Sequence, residues 1–328
     1  MHSTSSNVFK RLSLAALLSA TVFLTACAQK AEPLKIGYSD WPGWVAWDVA
    51  IEKGWFKEEG LDVKFEWFDY AASMDAFTAG KVDAVTVTNG DALVVASGGA
   101  KNVMILATDY SNGNDMIVAK PGIESLKDLA GKKIGLETGF VEHLMLLNGL
   151  EKAGMQESDV TIVNTATNAT PQALASGDLD AIAAWQPNSG EAIKQVPGAK
   201  SIYSSADEPG LIYDVLTVNP SSLASRNADW AKVVKVWGKV VAYINDPATQ
   251  ADAVKIMSAR VGLQPEAYLP LLKGTKLLNL EEGKAVFTKA DGFKSLYGSS
   301  KIADEFNVKY DVYKTGQDID KAIDPLFY

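Results

Sequence analysis

Three short segments recur in the same order about one hundred residues apart. Lys35-Ile-Gly-Tyr38 returns as Lys133-Ile-Gly-Leu136, Leu61-Asp-Val63 as Ser158-Asp-Val160, and Gly80-Lys-Val-Asp-Ala-Val85 as Gly177-Asp-Leu-Asp-Ala-Ile182. Each copy reads strand, helix, strand, helix, strand, the alternation that builds an α/β unit around parallel strands. A chain of 328 residues is long enough to give each copy its own core. The repeat therefore predicts two similar α/β lobes with a cleft between them, where strand ends and helix starts face each other.

The first strand runs into Ser39-Asp-Trp-Pro-Gly-Trp-Val-Ala-Trp47. Pro42 and Gly43 fit the centre of a turn from Trp41 to Trp44, where proline presets φ and glycine accepts a positive one. Trp47 is read as core. Trp41 and Trp44, in or beside the turn, are read as facing the cleft with Asp40.

Residues 1–27 read as a targeting segment. Lys10 and Arg11 precede an apolar run over 12–24 that is too short to span a bilayer, and Leu24-Thr25-Ala26-Cys27 ends it at the only cysteine. That junction resembles a bacterial lipobox, so export and a lipid on Cys27 are expected. The expected division is 1–27 as signal peptide and lipobox, 28–117 as the first part of lobe one, 118–215 as lobe two, and 216–328 as a return to lobe one with C-terminal helices. Residues 116–119 and 213–219 are read as the crossovers. The tail is read as helices near 231–245, 246–260 and 265–272, with no chemistry assigned to them.

The whole chain carries 31 Lys and Arg against 40 Asp and Glu, a net charge of −9; without Lys10 and Arg11 the balance is 29 against 40, or −11. Such a surface is unsuited to nucleic acid. Beyond residue 27 one histidine remains, His143, and no cysteine. Clustered His and Cys metal sites are thereby excluded, a Ser–His–Asp arrangement would depend on a histidine inside a leucine-rich helix, and no phosphate-binding glycine loop is present. A non-enzymatic chain with no catalytic residue, no metal and no cofactor is expected.

The residues Leu34-Lys-Ile-Gly-Tyr38, Ala50-Ile-Glu-Lys-Gly-Trp-Phe56, Gly60-Leu-Asp-Val63, Ala79-Gly-Lys-Val-Asp-Ala84, Ser125-Leu-Lys-Asp-Leu-Ala-Gly-Lys132 and Ser176-Gly-Asp-Leu-Asp-Ala181 resemble the solute-binding proteins of ABC importers, in the branch for nitrate, taurine, aliphatic sulfonates and thiamine precursors. The resemblance covers roughly residues 34–220. It implies the two-lobe periplasmic-binding-protein fold of type II with hinge crossovers and a helical C-terminal region. It also implies a small-molecule ligand, permease and ATPase partners, and a monomer tethered to a membrane. Some members of the wider group are thiamine-pyrimidine synthases that use a cysteine-rich motif and an active-site histidine, and this chain lacks that motif.

The strand-end loops offer Asp40, Trp41, Trp44, Asp69, Tyr70, Asn89, Asp91, Asp115, Glu137, Phe140, Trp185, Gln186, Asn188 and Asp214 as ligand-binding candidates. Asn89 or Asp91 is alternatively a helix cap. Lys and Arg are absent from 36–52, 65–80, 82–100, 102–119, 134–151, 153–193 and 201–225, and only Arg226 and Arg260 follow the leader. Sulfonate or nitrate sites gain from a basic side chain, although helix N-termini also hold anions. Carboxylates and ring faces without basic groups suit a small cation, and a planar guanidinium can take two hydrogen bonds from one carboxylate. A guanidine-like ligand is the leading expectation. Taurine, a sulfonate, nitrate or a thiamine-pyrimidine precursor is the alternative ligand class, and an enzyme of the thiamine-pyrimidine synthase group the alternative activity.

Overall fold

The structure is a computed structural model that describes residues 32–328, so the leader and Cys27 lie outside the described residues. Among the described residues no helix is long and apolar enough to cross a membrane. The chain opens with β1 (Leu34–Tyr38), α1 (Trp47–Glu52), α2 (Trp55–Glu58), β2 (Val63–Trp67), α3 (Tyr70–Thr78), β3 (Ala84–Thr88), α4 (Asn89–Ser97) and β4 (Val103–Ser111). It passes to the second lobe with β5 (Asp115–Ala119), β6 (Lys133–Leu136), α5 (Val141–Lys152), β7 (Thr161–Asn164), α6 (Thr170–Ser176), β8 (Ala181–Trp185), α7 (Asn188–Gln195) and β9 (Lys200–Ser204). It returns through β10 (Tyr213–Val218), α8 (Pro220–Ser225), α9 (Asn227–Asn245), α10 (Gln250–Arg260), α11 (Pro265–Lys273), β11 (Thr275–Leu277), α12 (Leu280–Val286), α13 (Leu296–Lys309) and α14 (Ile319–Ala322).

The two sheets have matching orders, β11-β4-β10-β3-β1-β2 and β7-β6-β8-β5-β9. In each, the first strand of the repeat is central to a parallel trio, β2-β1-β3 or β7-β6-β8, and an antiparallel strand joins at the third. β3 and β8 are buried along their whole length, as the apolar runs AVTVT and AIAAW require. The recurring Asp before each of these strands has one task. Asp83 accepts the Lys35 N–H at 2.9 Å and Asp180 accepts the Lys133 N–H at 2.9 Å, so each carboxylate fixes the start of its lobe's first strand.

The passages between sheets lie at 112–114 and 205–212. Residues 116–119 and 213–218, expected as crossovers, are instead paired strands of lobes two and one, their mostly apolar and β-branched side chains suiting a sheet interior even around Asp214 and Thr217. The passages are held by short polar contacts. Ser111 Oγ lies 2.6 Å from Ser205 Oγ, and the Asn114 amide donates to Leu271 O at 2.6 Å and Thr275 Oγ1 at 2.8 Å. The C-terminal region therefore braces the crossovers as well as lobe one. On lobe one, Trp47 is fully enclosed, 4.7 Å from Trp237 of α9 between ring centroids, which confirms its place in the core.

Candidate functional site

The turn after β1 forms as the sequence suggests, with Trp44 N and Val45 N both donating to Trp41 O. Gly43, however, has φ −69°, not a positive value. Glycine is needed there for room, since a Cβ would stand 2.2 Å from Asp109 Oδ2. The turn is thus pressed onto the C-terminal end of β4, and Trp41 Nε1 donates to Asp109 Oδ1 at 2.8 Å.

Behind that turn lies a small inner chamber between the lobes. Its rings are Trp41, Trp44 and Tyr70 of lobe one and Trp185 of lobe two. Trp44 stacks on Tyr70 at 5.4 Å and Trp185 meets Tyr70 edge-on at 5.1 Å. Asp115, at the start of β5 opposite Trp185, and Asp214, on β10 opposite Asp109, also line it. Asp115 and Asp214 are each 2% exposed, and Oδ2 of each has no hydrogen-bond partner in the protein. Trp44 Nε1 is likewise buried and unpartnered.

Two buried carboxyls behind this lining were not singled out in the sequence. Asp109 and Asp214 lie opposite each other on adjacent strands, and Glu142 of α5 lies within hydrogen-bonding reach of Asp115. Both oxygens of Glu142 lack a protein donor. Burial pushes the Asp115 carboxyl up to about 7 and raises Glu142 well above the usual carboxylate range, with Asp115 adding to the effect. Burial also raises Asp214 well above its ordinary value, helped by the charge of Asp109, while Asp109 rises to about 6 against donors from Asp214, Trp41 and Thr108. Like charges this close in a low-dielectric interior favour the protonated carboxyls.

Asp91 has a different position from the one its helix suggests. The cap of α4 is Thr88, whose hydroxyl accepts the Asp91 N–H at 3.2 Å, which frees the Asp91 carboxylate. That carboxylate takes the Tyr70 hydroxyl at 2.6 Å and, across the cleft, the Val141 N–H at 3.2 Å from the first turn of α5. Burial raises it to about 7 against those donors. Phe140, just before α5, packs edge-on to Tyr70 at 6.3 Å.

Outside the ring of aromatics is a wider vestibule of about 370 Å³, lined by Asp40, Asp69, Glu137, Asn188 and Arg260 among others. Asp40 bridges the lobes: it accepts Trp185 Nε1 at 2.9 Å and Asn188 Nδ2 at 2.8 Å. Burial raises its carboxyl despite both donors. Glu137 accepts the Thr167 N–H at 3.2 Å and is raised by burial. Arg260, from a helix to which the sequence assigned no chemistry, stands over Trp67 at 4.2 Å and Tyr38 at 5.3 Å. Its other neighbour is Asp48, at 3.8 Å.

Four candidates line neither compartment: Asp91 and Phe140 meet Tyr70 from behind the lining, and Asn89 and Gln186 serve the fold. Asn89 is spent on the fold: its amide donates to Ser299 and Ser300 of α13 at 3.1 Å, and its carbonyl oxygen accepts the Tyr213 N–H. Gln186 packs against Gly190, where a Cβ would meet its Oε1 at 2.5 Å, and lines neither space.

Two α/β lobes of matching topology, closed over an aromatic cleft, define a two-lobe binding-protein fold. Solved structures share it: the periplasmic aliphatic sulphonate binding protein of Escherichia coli has a TM-score of 0.71 at 19% identity, covering 89% of this chain and 97% of that one. The periplasmic nitrate-binding protein of Synechocystis PCC 6803 has a TM-score of 0.70 at 10% identity, covering 90% and 87%. Residues 42–251 match the NMT1/THI5-like family, and the chain belongs to it. A binding protein of Brucella abortus (strain 2308) is 30% identical over 201 residues, 60% of this chain and 62% of that protein. An aliphatic sulfonates-binding protein of Escherichia coli (strain K12) is 26% identical over 194 residues, 58% and 60%. The chain thus matches less than two thirds of the length of these curated relatives.

Proposed function

We propose that this chain is the extracytoplasmic solute-binding subunit of an ABC importer and that it captures a small, nitrogen-rich organic cation of the guanidine type in the inner chamber. On this reading it is exported, anchored by lipid at Cys27, and serves as a monomer beside permease and ATPase subunits. The observation that carries the ligand class is the pair of buried, unpartnered oxygens on Asp115 and Asp214, set among four rings with no basic side chain in the lining. A desolvated cation gains from the ring faces and from the carboxylates together.

The relatives named for sulfonates and nitrate make an anion the competing reading. Two features weigh against it in this chain. The α5 amide that would meet an anion already binds the carboxylate of Asp91, and the α4 terminus is capped by Thr88. Arg260 stands only in the vestibule, engaged by two rings and Asp48. For the enzymatic alternative, His143 is turned to the Gly139 N–H and to Glu157 and lines neither compartment.

The test is a calorimetric panel of guanidinium, urea, choline, taurine and nitrate. Guanidinium is expected to bind at micromolar concentration or below, with isosteric neutral urea at least a hundredfold weaker. Micromolar taurine or nitrate binding without guanidinium binding overturns the cation reading.

A further inference from the structure

The inner chamber poses a charge problem. Asp115, Glu142, Asp91, Asp109 and Asp214 come together from β5, α5, α4, β4 and β10, and Glu137 adds a sixth carboxyl near Glu142 from the end of β6. No Lys or Arg lines the chamber, and His143, the only histidine beyond the leader, faces Glu157 instead. Five ionised carboxylates cannot share so small an enclosed volume.

The members differ in how they are supplied with donors. Asp91 has Tyr70 and Val141, and Asp109 has Trp41 and Thr108. Those two are the places where negative charge is already accommodated. The Asp115–Glu142 pair is the poorly supplied one: Glu142 is 0% exposed with both oxygens lacking a protein donor, and Asp115, although Ser111 donates to it, leaves Oδ2 bare where it lines the chamber. Without a ligand, each of its two carboxyls is best kept neutral. A cation placed against Asp115 removes the reason for one of those two protons. The other is retained, because Glu142 remains enclosed and can donate it to the ionised Asp115.

We propose that the chamber takes its ligand by cation-for-proton exchange, the Asp115–Glu142 pair passing from two protons to one as the cation enters. The O–H bond of Asp115 breaks, its proton leaves to solvent while the lobes are still apart, and the ligand's N–H groups take its place against the carboxylate. Charge within the chamber is thus conserved on binding. The recognised class becomes narrower: planar bases that stay protonated at neutral pH, in contrast to neutral isosteres such as urea. The raised Asp115 and Glu142 carboxyls agree with two protons in the empty chamber below about pH 7. This inference rests on the cation reading above and adds a proton count that the reading does not require.

Guanidinium chloride at millimolar concentration or below is the probe. Titration calorimetry at pH 6 in buffers of different ionisation enthalpy is expected to show close to one proton released per ligand. Affinity is expected to rise by up to tenfold per pH unit between pH 5 and 6.5 and to level off above pH 8. In Glu142→Gln the new amide donates to Asp115 and keeps it ionised, so release should fall below about a quarter of a proton and the pH slope should flatten while guanidinium still binds. Guanidinium binding to the wild-type protein with no proton released, measured without any variant, overturns the exchange and leaves the cation reading standing. Undiminished release in a folded Glu142→Gln protein assigns the proton elsewhere and also overturns it. No guanidinium binding at any pH overturns both.

Discussion

The vestibule and the inner chamber share the rings of Tyr70 and Trp185, yet they differ in how far they satisfy charge. In the vestibule most charged groups have company: Asp40 has two donors, Glu137 has one although its Oε2 is left bare, Arg260 has two rings and a carboxylate, and Asp69 is exposed to water. In the chamber Asp115, Asp214 and Glu142 keep oxygens that no donor other than a neighbouring carboxyl meets. A buried polar atom without a partner costs about 1–3 kcal/mol, and more when charged. The comparison teaches that a cleft lined with carboxylates is not by itself a cation site. On the proposed reading, the site is where unanswered acceptors gather from several residues, Asp115, Asp214 and Glu142, whereas the vestibule has only that of Glu137.

The sharpest way to break that comparison is to remove one acceptor on each side. Asp115→Asn should weaken guanidinium binding at least thirtyfold, since truncating one partner of a buried charge pair costs about 2–5 kcal/mol. Asp69→Asn should stay within about threefold, as an exposed charge contributes little. A larger loss for Asp69→Asn by calorimetry would move the site to the vestibule.

A second test needs no ligand. Carboxyls raised in the folded chain bind more protons there than in the unfolded chain, whose values lie near 4. The stability they confer is complete below pH ~4 and is lost as pH rises through the folded values of about 6 to 7. The unfolding midpoint of the empty protein should therefore fall by about 5 °C between pH 5 and 7.5, on the order of 2 kcal/mol. A midpoint that climbs over that interval in scanning calorimetry would show the carboxyls to be ionised at no cost, and chamber and vestibule to be alike.

Rings come next. Trp44→Leu should weaken guanidinium about tenfold, within the range of about 0.5–2 kcal/mol for a desolvated cation on a ring. Trp67→Leu, under Arg260 in the vestibule, should change binding less than twofold. Asp40→Asn should speed dissociation about fivefold with association unchanged, because one of two donors across the lobes then meets an amide N–H; stopped-flow tryptophan fluorescence reads both rates. The smallest effect expected is for Arg260→Gln, under twofold for guanidinium by the same titration. A marked loss of taurine or nitrate binding in that variant would give the vestibule an anion site of its own.

Much of this plan is readable in the chain. The lobes are legible because the repeated residues perform repeated tasks: Lys35 with Asp83, and Lys133 with Asp180, are one backbone clamp made twice. Trp41, Trp44, Asp115, Trp185 and Asp214 are legible because they stand at strand ends, where an α/β sheet presents its ligand. Asp109 also stands near a strand end, but its importance depends on Asp214, more than one hundred residues away and directly opposite. Glu142 reads as the polar face of an amphipathic helix, and only the fold buries it against Asp115. Asn89 misleads for the converse reason: its partners Ser299 and Ser300 come from α13, which nothing in the local sequence announces. The glycine of the first turn was placed correctly for the wrong cause, since what excludes a side chain there is the carboxylate of Asp109.

The double acceptance by Asp40 has an evolutionary reading. It joins the lobes through Trp185 and Asn188 from the vestibule side, while the chamber's acceptors are separate residues. How long a captured molecule is retained and which molecules are admitted are thereby encoded at different positions. Drift at the rim can retune residence time for a scarcer or richer habitat without relearning chemistry. Drift among the inner carboxyls can change the diet while the clasp stays as it is.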